Sequence, residues 1–153
     1  MIKVAIVEDF ELIREDLKEL IDSQEDMQVV WAAETGVQAV ELAEKEATDI
    51  ILMDIEMETI NAGILAAEKI RDKNSEQKII FMTAHETNEM IITAMGTGAV
   101  DYLVKGEDSE EILSHIRNAF AGRATMNSRI QETIMREYSR SVSYTHLTLP
   151  TNS

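Results

Sequence analysis

Short apolar runs alternate with amphipathic segments along the first 122 residues of the chain. Each run is five or six residues long, rich in valine and isoleucine, and almost continuous. This pattern is typical of strands that are buried on both faces of a parallel sheet. The runs span residues 3–7, 28–33, 49–53, 78–82 and 99–104. They predict five strands, each followed by a helix.

The five predicted helices are marked by apolar residues that recur at three- and four-residue spacing. In chain order these are Ile13, Leu17, Leu20 and Ile21; Val37, Val40 and Leu42; Ile64, Ala67 and Ile70; Met90, Ile91, Ala94 and Met95; and Ile112, Leu113, Ile116, Ala119 and Phe120. Gly122 is a suitable stop for the last helix. Five strand–helix repeats require a parallel sheet with helices on both faces. We therefore predict an α/β fold with a doubly wound five-stranded parallel sheet.

Composition narrows the possible functions. The chain of 153 residues contains no cysteine, which excludes disulfide scaffolds, thiolate metal sites and cysteine nucleophiles. No apolar stretch approaches the length of a membrane span, and the apolar run after Met1 is too short for a signal peptide. A cytoplasmic protein with no membrane partner is the expectation. Residues 1–122 hold 10 Lys and Arg against 27 Asp and Glu, a balance of −17. A domain so acidic repels nucleic acid.

The pattern changes after residue 122. Residues 123–140 form the beginning of a linker, with a short helix possible over residues 131–138. The tail, residues 141–153 (SVSYTHLTLPTNS), resembles a translated transposon-end sequencing adapter. We expect that this tail is not native and carries no function. A disordered natural tail is the alternative.

Chemically useful side chains follow four of the five predicted strands. Glu8 and Asp9 follow the first strand, Asp54 the third, Thr83 the fourth and Lys105 the fifth. In an open parallel sheet, ligands bind beyond the carboxyl ends of the strands. These residues are therefore expected to converge on one edge of the sheet.

The three carboxylates would repel one another if the first and third strands were neighbours. Each like-charged pair costs about 4 kcal/mol at 4 Å and an effective dielectric constant near 20. Such a cluster must take up a proton or bind a cation, and its oxygen ligands suit Mg²⁺. Lys105 adds a fixed positive charge. A carboxylate, a hydroxyl, an ammonium group and Mg²⁺ together match a phosphoryl group, with Asp54 as the nucleophile.

Four segments carry a family resemblance. They are VAIVED at the first strand end, IILMDIEM around Asp54, IIFMTA around Thr83 and DYLVKG around Lys105. In this order and spacing they resemble the receiver domain of two-component response regulators, over residues 1–122. The resemblance implies a flavodoxin-like receiver fold with strand order 2-1-3-4-5. It also implies a signalling function without enzymatic turnover, in a domain that would promote its own dephosphorylation.

The resemblance assigns a role to each residue at the sheet edge. Asp54 would accept a phosphoryl group from a sensor histidine kinase, and Thr83 and Lys105 would contact that group. Tyr102 matches the aromatic switch position and would rotate inward after phosphorylation. The Mg²⁺ ligands would be Glu8, Asp9, Asp54 and the backbone carbonyl of Glu56.

The stretches IEMETINAG and KGEDSEEILSHIRNAFAGRA are most similar to receivers of the NarL/LuxR type. Regulators of this type bind DNA through a C-terminal helix-turn-helix domain, which is absent from this chain. Homodimer formation on phosphorylation is a further expectation. Three positions depart from the family pattern, namely Glu58 in place of a proline, a displaced glycine at Gly63, and Gly106 in place of a proline. These changes leave the local loop geometry open.

Three alternatives remain at this point. A stand-alone receiver would act by docking a partner protein. A Mg²⁺-dependent phosphatase of the haloacid dehalogenase type also uses an aspartyl phosphate, but its nucleophile normally follows the first strand as Asp-x-Asp. A flavodoxin-like FMN carrier needs a phosphate-binding loop after the first strand, where this chain has Glu8, Asp9 and Phe10.

The histidines, Asp101 and Trp31 are expected to have structural roles. His85, His115 and His146 are not expected to form a metal site, because they are 30 and 31 residues apart with no second ligand at helical spacing. Asp101 is unusual inside a predicted strand and is expected to face solvent or a sheet edge. Trp31 is expected to lie in the core or at a covered edge.

Overall fold

The computed structural model describes residues 1–123 together with Met135 and Arg136. The latter two are helical and exposed, and the rest of the linker and the tail lie outside the described residues. The elements are β1 Ile2–Val7, α1 Glu11–Asp22, β2 Met27–Ala33, α2 Gly36–Lys45, β3 Ile50–Asp54, α3 Ala62–Lys73, β4 Lys78–Thr83, α4 Asn88–Gly96, β5 Asp101–Val104 and α5 Ser109–Phe120. Within the described residues, no helix is both long and apolar enough to cross a bilayer.

The strands form one parallel sheet in the order β2-β1-β3-β4-β5. The predicted α/β class, the alternation of strands and helices, and the strand order are confirmed. All five predicted strands differ from the observed strands by one or two residues at one or both ends. β3 continues through Asp54, which pairs with Met82 of β4. β5 begins only at Asp101, although the backbone nitrogen of the preceding Val100 already donates a hydrogen bond to the Ile79 carbonyl of β4 at 2.9 Å.

Both faces of the sheet are covered, which explains the continuous apolar runs. Successive strand residues point to opposite faces, so Val4 and Ile6 of β1 pack on one side while Ala5 and Val7 pack on the other. Helices α1 and α5 cover the first side, and α2, α3 and α4 cover the second. Trp31 lies in the second core, as predicted, and its indole nitrogen donates a hydrogen bond to Thr48 Oγ1 at 2.8 Å.

Two of the departures from the family pattern, Glu58 and Gly63, lie between the end of β3 and the first turn of α3. Gly63 lies so close to β3 that a Cβ added there would be 1.9 Å from the Asp54 carbonyl oxygen. Glu58 caps the neighbouring helix α2, since its carboxylate accepts hydrogen bonds from the backbone nitrogens of Gly36 at 2.8 Å and Val37 at 3.3 Å. Both residues therefore fix the loop that follows the Asp54 strand. The Lys105–Gly106 bond is trans, as expected for a position without proline.

Candidate functional site

Three carboxylates meet at the carboxyl edge of the sheet, as the sequence predicted. Glu8 and Asp9 follow β1, Asp54 ends β3, and β1 and β3 are adjacent strands. One carboxylate oxygen from each residue lies within 4.8 Å of the other two. Glu8 is fully buried and Asp54 is 2% exposed, whereas Asp9 faces solvent. Two of the three carboxylates are therefore buried, and the cluster is open to water on the side of Asp9.

Lys105 reaches into this cluster from the loop after β5. Its Nζ donates a hydrogen bond to Asp54 Oδ2 at 2.9 Å and lies 2.6 Å from Glu8 Oε1. The contact with Glu8 is an ion pair without hydrogen-bond angles, so Glu8 Oε1 is buried without a hydrogen bond from any described residue. A backbone hydrogen bond from Lys105 N to Thr83 O, at 2.7 Å, holds the loop beside β4. The position of the ammonium group is thereby fixed on two sides.

The acid–base properties of the cluster follow from its excess of negative charge. Burial and the neighbouring Glu8 raise the pKa of Asp54 to about 7, and Lys105 opposes this only in part. Burial would also raise the pKa of Glu8, but the side chains of Asp54 and Lys105 outweigh it and lower that pKa. Burial and Glu8 raise the pKa of Asp9. One lysine therefore does not neutralise three carboxylates, and the site retains affinity for a further cation.

The donor set fits Mg²⁺. All the available ligands are oxygens, two of them are preorganised by burial, and the open side at Asp9 leaves room for water, which Mg²⁺ retains in proteins. The buried Glu8 Oε1 is ion-paired with Lys105 at 2.6 Å and makes no hydrogen bond to the described residues, so its lone pairs can be shared with a cation. Glu56, whose backbone carbonyl is the fourth predicted ligand, follows Asp54 by two residues in the loop after β3.

Thr83 lies at the same edge, at the end of β4, and is buried. Its hydroxyl donates to the carbonyl of His85 at 3.3 Å and accepts from the His85 backbone nitrogen at 3.2 Å. The hydroxyl therefore holds the start of the loop between β4 and α4. A ligand that attracted this hydroxyl toward Asp54 would disturb that loop.

Tyr102, the predicted switch residue, is 1% exposed and packs in the second core, where it is paired across the sheet with Phe81. Its hydroxyl is buried without a hydrogen-bond partner among the described residues. Burial raises the pKa of this phenol to about 12, against a smaller opposite effect of Thr83. The side chain is already inward in this structure, whereas the sequence led us to expect inward rotation only after phosphorylation.

Asp101 corrects part of one prediction and His115 corrects another. Asp101 lies on the edge strand β5, one of the two predicted settings, but it is 1% exposed and does not face solvent. Its Oδ2 pairs with His115 Nδ1 of α5, and its Oδ1 accepts a hydrogen bond from the Tyr102 backbone nitrogen at 2.8 Å. His115 also has potential ligand partners at helical spacing, since it groups with Glu111, four residues earlier, and with Glu107. The Glu111–His115 spacing is visible in the sequence, but the prediction rested mainly on the distances between histidines.

Comparison with known proteins agrees with this geometry. Residues 4–117 match the family model of the response regulator receiver domain. The chain is 34% identical over 132 residues to the response regulator UvrY of Escherichia coli K12, covering 86% of this chain and 60% of UvrY. It is 30% identical over 141 residues to the transcriptional regulatory protein DegU of Brevibacillus brevis, covering 92% of this chain and 59% of DegU. The chain thus spans about three fifths of these relatives.

Solved structures show the same fold. A two-component response regulator of the LuxR family from Aurantimonas sp. SI85-9A1 superposes with a TM-score of 0.80 at 28% identity, covering 90% of this chain and 97% of the other. The response regulator domain of CheB from Thermotoga maritima gives a TM-score of 0.72 at 37% identity, covering 79% and 97%. The LuxR-family structure is consistent with the predicted similarity to receivers of the NarL/LuxR type, and the chain belongs to the response regulator receiver domain family.

Proposed function

We propose that Asp54 is the phosphoacceptor of a two-component signalling system and that a sensor histidine kinase is the donor. The observation that carries this proposal is the placement of Asp54 within 2.9 Å of Lys105, among three carboxylates that lack sufficient positive charge. The family assignment supports it, because receiver domains serve in two-component systems. The domain itself is a switch and not a turnover enzyme.

In the proposed transfer, a carboxylate oxygen of Asp54 attacks the phosphorus of a phosphohistidine. The phosphorus–nitrogen bond breaks, the imidazole leaves, and a phosphorus–oxygen bond forms to give an acyl phosphate. Lys105 supplies a positive charge beside the phosphoryl oxygens, which stabilises charge in the transition state. When bound by Glu8, Asp9, Asp54 and the carbonyl of Glu56, Mg²⁺ would neutralise further charge on the transferred group.

The signal would leave the site through the loop between β4 and α4. Phosphorylation adds about −1.5 to −2 charges and three acceptor oxygens, and the Thr83 hydroxyl is a donor at the same edge of the sheet. Donation to the phosphoryl group would draw this hydroxyl away from His85. Tyr102 lies buried next to Thr83, so its inward orientation would be stabilised together with the new surface of α4, β5 and α5.

The output is proposed to be transcriptional. Proteins similar to this chain include a transcriptional regulatory protein and a regulator of the LuxR family, so DNA binding would reside in a C-terminal domain outside this chain. Phosphorylation would favour a homodimer, and the protein would act in the cytoplasm. A stand-alone receiver that docks a partner is the alternative. The coding sequence downstream of residue 140 distinguishes the two.

The test uses acetyl phosphate as a small phosphoryl donor, with Mg²⁺ and the full chain. We expect incorporation of one phosphoryl group per chain, measured by intact mass, and no incorporation in Asp54→Asn. The matched control is Asp72→Asn, because Asp72 is an exposed carboxylate on α3. Labelling that persists in Asp54→Asn would reject Asp54 as the acceptor. Labelling that is independent of Mg²⁺ would reject the metal requirement.

A further inference from the structure

A second cluster of potential metal ligands lies at the other end of the β5–α5 loop. A ring nitrogen of His115 and one carboxylate oxygen each from Glu107 and Glu111 lie within 4.8 Å of one another. Glu111 and His115 are four residues apart on α5, so both project from one face of the helix. Glu107 comes from the loop that precedes α5. The loop and the helix thus contribute to one group of ligands.

The histidine of this cluster is oriented by a buried carboxylate. Asp101 is 1% exposed, and its Oδ2 pairs with Nδ1 of His115. A proton held on Nδ1 by Asp101 leaves Nε2 as the free lone pair of the ring. Metal-binding histidines are oriented in this way, with the second ring nitrogen donating to a carboxylate.

The environment of Glu107 is a second observation at this cluster, independent of the ligand spacing. Its Oε2 is buried and has no hydrogen-bond partner among the described residues, while Oε1 has only a long contact, 3.5 Å, from the backbone nitrogen of Val104. A buried carboxylate oxygen without a partner carries an uncompensated desolvation cost.

We propose that Glu107, Glu111 and Nε2 of His115 form a second metal site, specific for a divalent transition metal such as Zn²⁺. Imidazole nitrogen and carboxylate oxygen both bind zinc, and zinc sites with three protein ligands keep a fourth position for water. Imidazole favours Zn²⁺ over Mg²⁺. With one nitrogen among its ligands, this site therefore favours a different metal ion from the all-oxygen cluster around Asp54.

The required movement is small. Ligands about 2.1 Å from a tetrahedral zinc ion are roughly 3.4 Å from one another. The carboxylate oxygens of Glu107 and Glu111, which now lie within 4.8 Å of each other, must therefore approach by at most about 1.4 Å. The exposed Glu111 side chain and the half-buried Glu107 side chain have rotatable bonds that allow this closure, while Asp101 keeps the imidazole in place.

The charge of the surroundings favours a divalent ion. Asp101, Glu107 and Glu111 supply three negative charges, and a protonated His115 supplies one positive charge. Zn²⁺ would replace that proton on the Nε2 side and reduce the remaining negative charge. Because Glu107 follows Lys105 by two residues, an occupied site would also tie the Lys105 loop to α5. Metal binding would then restrain the loop that positions the ammonium group beside Asp54.

The test is calorimetric titration of the untagged full chain with Zn²⁺ in excess Mg²⁺, in a His146→Ala background that removes the histidine of the tail. We expect one zinc ion per chain and at least tenfold weaker binding in Glu111→Gln. That variant keeps the Asp101–His115 pair and should fold normally. Asp101→Asn should weaken zinc binding tenfold to a hundredfold, as expected for the loss of an orienting carboxylate.

The matched control is Glu110→Gln, the adjacent acidic residue on α5, which should bind zinc as the parent does. Asp54→Asn should also leave this zinc affinity unchanged, which separates the proposal from the phosphoacceptor function. In nuclear magnetic resonance spectra, zinc should shift the Nε2 resonance of His115. Equal affinities in Glu111→Gln and Glu110→Gln, or an unshifted Nε2 resonance, would overturn the proposal.

Discussion

Asp54 and Lys105 are 51 residues apart in the chain and meet at 2.9 Å at the carboxyl edge of the sheet. The contact depends on β4, which lies between their strands and whose Thr83 carbonyl accepts a hydrogen bond from the Lys105 backbone nitrogen. The same ammonium group lies 2.6 Å from Glu8. Lys105 is thus the positive centre of the site, and the chemistry proposed for Asp54 depends on it.

Replacement of Lys105 by methionine should slow phosphorylation of Asp54. Removal of a preorganised donor to developing charge typically reduces a rate by about 10²–10³-fold, and burial of the Asp54 carboxylate strengthens the effect. The measurement is the rate of labelling by acetyl phosphate at fixed Mg²⁺. Lys69→Met, at an exposed position of α3, is the matched control and should label at the parental rate. Equal rates in both variants would show that Lys105 has no part in the transfer.

Replacement of Asp9 by asparagine should weaken Mg²⁺ binding by at least about tenfold, or 1.4 kcal/mol. Asp9 is the solvent-exposed acid of the cluster, so the change removes a charged ligand without creating a cavity. Isothermal titration with Mg²⁺ gives the affinity. Asp16→Asn, an exposed acid on α1, should bind as the parent does. Unchanged affinity in Asp9→Asn would remove Asp9 from the ligand set.

Asp54→Asn should stabilise the protein at neutral pH when Mg²⁺ is absent. The pKa of Asp54 is raised from 3.8 to about 7, so between these values the folded chain holds a proton that the unfolded chain has lost. Stability therefore falls as the pH rises from about 4 to 7, and the penalty is complete above 7. A shift of about three units corresponds to at most roughly 4 kcal/mol.

The check is chemical denaturation of both proteins in chelator at pH 3 and pH 8. The advantage of Asp54→Asn should be present at pH 8 and small at pH 3, and added Mg²⁺ should reduce it by stabilising the parent. An equal difference between the proteins at both pH values would mean that ionisation of Asp54 does not destabilise the fold.

The strand-end residues were predictable because one rule covers all of them. Parallel strands deliver their last side chains to a common edge, so Asp54, Glu8 and Lys105 converge once five buried strands are recognised. The rule needs only apolar runs and the residue that follows each run. It does not require the loops to be known, which is why the departures at Glu58 and Gly106 left these predictions intact.

Other features depend on contacts between elements that are distant in sequence. Asp101 is buried against His115 of α5, and no residue near position 101 in the sequence indicates that partner. Tyr102 is inward because of the packing of the second core. The role of Gly63 is set by the approach of α3 to the end of β3. Such contacts follow from the angles at which helices pack, and a linear pattern does not specify those angles.

Gly63→Ala should destabilise the protein by about 1–3 kcal/mol or more, the range for overpacking a filled site. The added Cβ would be 1.9 Å from the Asp54 carbonyl oxygen, so the backbone that carries Asp54 must move. Denaturant unfolding gives the loss of stability, and acetyl phosphate labelling reports displacement of the acceptor. Gly96→Ala is a sharp control, because no atom lies within 4 Å of a Cβ there, and alanine should stabilise helix α4 by about 0.5–1 kcal/mol. If Gly63→Ala behaved like Gly96→Ala, the close approach of α3 to β3 would be wrong.

His115 should titrate above its ordinary pKa of 6.5. Pairing with Asp101 raises this pKa against the opposing effect of burial, and the nearby charges of Asp101, Glu107 and Glu111 add to the increase. The folded chain therefore holds a proton more tightly than the unfolded chain. The resulting stabilisation is complete below pH 6.5 and is lost as the pH rises through the folded pKa.

In chelator, nuclear magnetic resonance titration of the His115 ring should show the raised pKa, and Asp101→Asn should lower it. His85 is an exposed histidine of the same chain and serves as the internal reference. A His115 pKa that does not fall in Asp101→Asn would show that the pair does not hold the proton, since Asp101 is the principal cause of the shift.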